Sequence, residues 1–174
     1  MTQINNILDD DKILGFKKAF DNGEYSLNID KYIKELQSLH ITRKVKLLNS
    51  EEILKNISVL IDVLAQNQAV RCRVVEIKMD CVRVSTKLRF KKESLLNFLQ
   101  VKYREELKQI KGTQADRNAY LQSIFEFVNT TTSKLQVLQD FCDILLNDID
   151  QASWCLKSII DCVKVTDAAK GVIV

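Results

Sequence analysis

The chain has 174 residues, of which 46% are apolar and 28% charged, with four glycines, no proline and a formal charge of +3. It is too apolar for a disordered polymer, too short for a multidomain enzyme and too poor in turn formers for a many-stranded β protein, so the expected class is all-α. The charge is unevenly placed: residues 1–70 hold nine Lys/Arg against ten Asp/Glu, residues 71–111 twelve against five, and residues 112–174 five against eight, so a +7 block stands between segments of −1 and −3.

In chain order, residues 1–49 read as a short helical N-terminal region. Asp9, Asp10 and Asp11 precede Ile13, Leu14, Phe16 and Phe20, and Gly23 follows, the order of N-terminal acid, apolar face and C-terminal glycine expected of a helix. Three adjacent carboxylates could hold a divalent cation, but attraction to a helix N-terminus explains them more simply. A second short helix is expected from Asn28 or Asp30 ahead of Tyr32, Ile33, Leu36 and Leu39.

A long basic helix is expected over residues 50–112. Asn49 can cap it, Glu52 completes a capping box, and apolar residues then recur at spacings of four and three: Ile53, Ile57, Leu60 and Val63, then past Asn67 to Val70, Val74, Ile77, Cys81, Val84 and Leu88. The seam continues less regularly through Leu95, Leu99, Tyr103, Leu107 and Ile110 to Gly112, a natural end residue, giving about 60 residues or ~90 Å of helix. A β-ribbon over Val70–Phe90 competes, because apolar and charged residues alternate there. The alternation slips phase at Val74-Val75 and again at Cys81-Val82, while the heptad passes through both, which favours the helix.

A second long helix is expected over residues 113–166, with a tail from 167 to 174. Thr113 and Asp116 form a near capping box, and Leu121, Ile124, Val128, Thr131, Leu135, Leu138, Cys142, Leu145, Ile149, Ala152, Leu156, Ile159 and Val163 alternate strictly in threes and fours. Asn129–Ser133 is the stretch where a break is cheapest, being rich in poor helix formers. Two long helices meeting at Gly112 predict an antiparallel hairpin with coiled-coil character. Phe125, Phe141, Ile144, Leu146, Trp154 and Ile160 lie off the seam. The N-terminal helices could fold back over them, but self-association is the reading favoured here, because exposed aromatics on a long helix mark interfaces. Phe141, Leu145, Ile149, Trp154, Leu156 and Ile159 are the expected oligomer contacts.

No basic leader with an apolar core opens the chain and no apolar run approaches a membrane span, so a soluble, unsecreted protein without membrane contact is expected. The five cysteines are odd in number and form no Cys-x-x-Cys; they read as small buried hydrophobes in a reducing compartment. His40 is the single histidine and sits between Leu39 and Ile41, so neither a metal site nor any cofactor is expected. The isolated glycines form no phosphate loop, and uniform heptads make few clefts, so no enzyme activity is expected.

What remains is the basic block. Arg83, Lys87 and Lys91 share one helix stripe, Arg71, Lys78, Arg89 and Lys92 a second, and Arg104, Lys108 and Lys111 a third. Such rows reach successive phosphates of a flexible strand, and Phe90, Phe98 and Tyr103 offer rings for stacking, although each ring is individually better explained as core or seam. The expected contacts to single-stranded DNA are Lys87, Arg89, Lys91, Lys92, Lys102, Arg104, Lys108 and Lys111. The rival is a structural or adaptor coiled coil, such as a virion or scaffold component, whose basic block pairs with acidic surface on a neighbour, such as Asp140, Asp143, Asp148 and Asp150.

The segment Asp140-Phe141-Cys142, followed by Leu146, Ile149, Trp154, Lys157, Ile159 and Asp161, resembles the C-terminal helix of the recombination mediator family of T-even-type bacteriophages. The plan of a long basic helix, a glycine turn and a second helix is also similar over residues 51–163. The resemblance implies a small, ring-forming homo-oligomer without enzymatic activity, cytoplasmic in an infected bacterial host. Such a protein binds single-stranded DNA and helps to load a strand-exchange recombinase onto strands covered by single-stranded DNA-binding protein. The family's stretch before the turn is lysine, any residue, arginine, leucine. Here Arg104-Glu105-Glu106-Leu107 matches at Arg104 in charge and at Leu107 in identity but departs at Glu106. Lys87-Leu88-Arg89-Phe90 offers a similar basic pair further from the turn.

Overall fold

The computed structural model describes residues 5–42, 57–110 and 112–171. All regular structure there is helical: α1 (Asn5–Leu8), α2 (Asp11–Asp21), α3 (Ile29–Thr42), α4 (Ile57–Lys102), α5 (Arg104–Lys108), α6 (Gln114–Ile124) and α7 (Glu126–Gly171). Val70–Phe90 lies wholly inside the 46-residue α4, which excludes the ribbon alternative. The capping box expected at Asn49–Glu52 lies outside the described residues. The expected tail is helical as far as Gly171, because no breaker interrupts residues 167–170.

Compactness divides the chain across the helices rather than between them. One unit joins Met1–Ile29 to Asp80–Val137, and the other joins Asp30–Met79 to Leu138–Val174. The predicted segments 1–49, 50–112, 113–166 and 167–174 follow helix ends instead. A long helix with one apolar stripe forms no core alone, so each unit takes a part of both long helices.

In the first unit α2 carries complete end signals. Asp10 caps it, its carboxylate accepting from the Lys12 N–H at 2.9 Å. At the other end Gly23 adopts φ +85°, with its N–H on the Phe20 carbonyl and the Glu24 N–H on the Ala19 carbonyl. That is the two-bond Schellman closure, which needs the left-handed conformation a glycine tolerates. α2 brings Phe16 and Phe20 onto the start of α7. Phe16 lies 6.3 Å from Phe125 and 5.7 Å from Phe127 between ring centres, and Phe20 meets Phe127 edge to face at 4.8 Å. Phe125, expected to stay exposed, is fully buried; here the N-terminal helices do fold back.

The two breaks on either side of the turn were not anticipated. Tyr103 leaves helical geometry at φ −107°, ψ 29°, separating α4 from α5, and Phe125 does the same at φ −105°, ψ 22°, separating α6 from α7. Both rings are buried, so tertiary packing rather than propensity fixes these breaks. The polar stretch 129–133, where a break or bend is cheapest, remains helical. Its hydroxyls bond back along the helix, Thr131 to the Phe127 carbonyl at 2.9 Å and Thr132 to that of Val128 at 3.0 Å, which satisfies them without an end. Between α5 and α6 the glycine signal holds: Gly112 has φ +134°, and Thr113 and Asp116 form a reciprocal capping box. The Asp116 carboxyl is held below its usual range by the Thr113 N–H and hydroxyl.

In the second unit α4 contributes Leu60, Asn67, Val74 and Ile77 to the core, and α7 contributes Cys142, Leu145, Ile149, Leu156, Ile160 and Val163. Leu60, Leu156 and Ile160 form one cluster, with Val63 and Ile159 packed against it. Burying side chains of this size stabilises by about 1.5–3 kcal/mol each. Ile160, also expected to be exposed, is therefore core. Arg71 reaches Asp150 at 2.7 Å and Lys78 reaches Asp143 at 2.5 Å, so seven residues forward on α4 match seven backward on α7 and the two helices run antiparallel here. Leu36 of α3 is fully buried, and Glu35 beside it grips Arg73 with both carboxylate oxygens, at 2.6 and 3.2 Å.

Candidate nucleic-acid interface

The heptad of α4 decides where its cations stand. Leu60, Asn67, Val74, Cys81, Leu88 and Leu95 recur every seventh residue and are all buried, so the intervening Lys and Arg side chains are carried outward. Whether they remain available depends on the acids that meet them. In the second unit they are met: Arg71 by Asp150, Arg73 by Glu35 and by Glu76 at 2.8 Å, and Lys78 by Asp143. Arg73 draws the Glu35 carboxyl below its usual range, and Asp150 raises Arg71 further above its own. At the edge of the first unit Arg83 pairs with Asp80 at 2.5 Å.

Beyond Arg83 the pattern changes. Lys87, Arg89 and Lys91 are exposed, and no carboxylate among the described residues lies within ion-pair distance of them. Arg89 leans over the ring of Phe90 at 5.6 Å, and Phe90 is itself 61% exposed, against the reading of that ring as core. Lys92 is half-buried and donates to the Asn129 side chain at 2.7 Å.

Lys87, Phe90, Lys91 and Ser94 of α4 face Glu24 and Tyr25, which follow α2, across a cleft of about 520 Å³. A second cleft of about 440 Å³ shares Glu24, Tyr25, Lys91 and Ser94 and extends past Phe98 to Lys12. The Lys12 ammonium sits 3.9 Å above the centre of the Phe98 ring, a cation–π contact. The groove thus combines three lysines with Tyr25, Phe90 and half-buried Phe98, and Glu24 is the acid on its wall. The exposed ring of Phe90 presents an apolar face, Lys87 and Lys91 present ammonium donors, and Glu24 presents one carboxylate acceptor.

The remaining expected contacts divide. Lys102 is bound to Asp10 at 2.6 Å, and the Tyr103 hydroxyl donates to the same carboxylate at 2.8 Å. Burial would raise the Asp10 pKa, but bonds from Lys102, Tyr103 and the Lys12 N–H outweigh it and hold the group below its usual value. Lys102 is correspondingly raised. It serves as the counter-ion of a buried acid and is withdrawn from the strand-binding set. Tyr103 is buried and offers no free face. Arg104 is exposed and has no ion pair among the described residues, whereas Lys108 pairs with Glu105 at 2.7 Å. Lys111 lies outside the described residues.

Of the expected oligomer contacts, Leu145, Ile149 and Leu156 are buried within the single chain and Ile159 packs on the Leu60 cluster. Phe141 is half-buried. Trp154 is 70% exposed, and Ile144 and Val165 are exposed with it. Four of the six thus belong to the chain's own core, since the 3-4 seam marks burial without saying in which copy.

Among the acids of the rival reading, Asp143 and Asp150 pair within the chain, and Asp148 stands 4.0 Å from His40. No cluster of three potential metal ligands occurs among the described residues. No helix among them is long and apolar enough to cross a membrane. Sequence reasoning missed Lys12, Tyr25 and Ser94, because no local pattern told where the N-terminal helices would dock. No protein-family model, curated protein or solved structure matches the chain.

Proposed function

We propose that this chain is a non-enzymatic single-stranded DNA-binding protein that acts as a recombination mediator, helping to load a strand-exchange recombinase onto strands covered by single-stranded DNA-binding protein. The carrying observation is the groove in which Lys87 and Lys91, without an ion pair among the described residues, flank Tyr25 and exposed Phe90, with Arg89 beside it. Charge without internal partners supplies affinity by counterion release, and rings supply stacking that tolerates any base. The loading role rests on the resemblance of Asp140–Asp161 to the phage mediator family. In the same reading α4 and α7 form a coiled-coil hairpin, and copies associate through the face bearing Ile144 and Trp154.

The test is fluorescence anisotropy with labelled oligo-dT over a salt series. Of the expected contacts, Lys87, Arg89, Lys91 and Arg104 have no ion pair among the described residues, and at about 0.7 counterions each they predict a slope of about −3 in log affinity against log salt. Absence of binding, or affinity that ignores salt, contradicts the reading. Light scattering checks the assembly: Trp154→Ala is expected to lower the particle mass, and a mass equal to one chain in the parent protein rejects it.

The adaptor reading keeps one specific support, the pairs Arg71–Asp150 and Lys78–Asp143. They show the basic block meeting acids of α7, as that reading expects, but within one chain. It predicts no binding to oligo-dT, or binding that ignores substitution of the basic residues.

A further inference from the structure

Around the turn the first unit holds a further cavity, of about 330 Å³, distinct in lining from the aromatic groove. Gln100 of α4, Arg104 and Lys108 of α5, and Gln114, Arg117 and Asn118 of α6 converge on it. Its apolar lining is Leu107 and Leu121, which are 7% and 1% exposed. No acid among the described residues lines it. The fold at Gly112 creates this convergence. Once the Thr113 capping box starts α6, the chain returns alongside α5, and Arg117 donates from Nη2 to the Lys108 carbonyl at 3.4 Å.

The charges are only partly answered. Glu105 partners Lys108, but Arg104 and Arg117 have no carboxylate within ion-pair distance among the described residues. The Nε–H of Arg117 is buried and donates to no acceptor among the described residues. A buried charged donor left without an acceptor is costly, and an anion rich in oxygens removes that cost. Phosphate suits the donor set: the guanidinium groups present forked donors, the ammonium a point charge, and the carboxamides further N–H groups. The buried leucines close the cavity on one side, which fits a group that ends a chain better than a diester that must continue through. Three cations with a single acidic neighbour also favour a dianion over a monoanion.

We propose that this cavity binds a phosphomonoester dianion, with the terminal phosphate of a nucleic-acid strand as its source and a free nucleoside monophosphate as the competing one. Only the strand end as source rests on the proposed DNA-binding role; the phosphate chemistry stands on the cavity itself.

The experiment uses the full chain and 3′-labelled oligo-dT carrying a 5′-phosphate or a 5′-hydroxyl, together with a 5′-labelled pair differing at the 3′ end. A terminal phosphate at one end is expected to tighten binding about tenfold, the worth of a charged hydrogen-bonded contact. Arg117→Gln is expected to abolish that preference while leaving the 5′-hydroxyl strand unaffected, and Arg117→Lys to restore part of it. Strands that bind equally well with and without terminal phosphates overturn the strand end as the source and leave the proposed function standing. As an arm independent of strands, inorganic phosphate and thymidine monophosphate are titrated against the NMR signal of the Arg117 Nε–H. A saturable shift with either, in a chain that binds no strand, supports the phosphate site with a free compound as its source and rejects the DNA-binding reading. No shift with either, and no strand binding, overturns both.

Discussion

Arg71, Arg73 and Lys78 in the second unit and Lys87, Arg89 and Lys91 in the first belong to one helix and one basic block, yet they have opposite fates. The first three are ion-paired; the second three have no ion pair among the described residues. Arg73 is met by Glu35 of α3 and Glu76 of α4 itself; for Arg71 and Lys78 the reason lies on α7. Its stretch in the second unit carries Asp140, Asp143, Asp148, Asp150 and Asp161, whereas Glu126–Val137 in the first unit carries Glu126 as its single acid among threonines, serine and Lys134. Where Lys78 meets an aspartate, Lys92 meets Asn129. A net charge of +7 over forty-one residues therefore overstates the available charge in one half and locates it in the other. Basic surface is set by what faces it as much as by its own composition.

The largest effect separating the halves is expected from Phe125→Ala. The ring is fully buried against Phe16 in the first unit, and its loss costs about 3–5 kcal/mol. Hydrogen exchange reads where that loss falls: faster exchange confined to the first unit shows two separately stable units, and faster exchange throughout shows one cooperative molecule. Next comes Asp10→Ala, which removes the α2 cap and leaves Lys102 and the Tyr103 hydroxyl without their acceptor, an expected loss of about 2 kcal/mol by chemical denaturation.

The same carboxylate predicts an acid response. Its folded-state pKa lies below the ordinary 3.8, so its contribution is complete above about pH 4 and is lost as pH falls through the depressed value. A denaturation series from pH 6 to pH 2 is expected to show that loss in the parent chain and less of it in Asp10→Asn. Arg73→Ala in the second unit is expected to cost no more than about 1 kcal/mol, because its bidentate pair with Glu35 is partly open to solvent and screened. The smallest expected change is on the groove wall: Glu24→Gln removes the acid facing Lys87 and Lys91 and should tighten oligo-dT binding about twofold at low salt.

Much of the fold was legible because its signals are local. The absence of proline, the heptads, Gly112 and the Thr113–Asp116 box specified helices, seams and the turn, and Leu121, Val128, Leu135, Cys142, Ile149, Leu156 and Val163 are all buried as their spacing implies. The breaks at Tyr103 and Phe125 were not legible, since neither residue is a helix breaker. Their ring packing, and the bond from the Tyr103 hydroxyl to Asp10, arise from partners remote in sequence. The aromatic groove was half legible: Lys87, Phe90 and Lys91 lie on one helix, while Tyr25 and Lys12 arrive by docking of α2. Arg117 could have been found by folding the chain at Gly112, which sets it beside Lys108.

Two triple variants measured side by side on oligo-dT in low salt decide whether unpaired charge, rather than total charge, makes the strand-binding surface. Lys87, Arg89 and Lys91 changed together to alanine are expected to weaken binding about a hundredfold and flatten the salt slope by about 2, at roughly 0.7 per lost contact. Arg71, Arg73 and Lys78 changed together should stay within about threefold of the parent, since removing paired charges alters only the distant field. Equal losses from both, or a greater loss from the second, would contradict it.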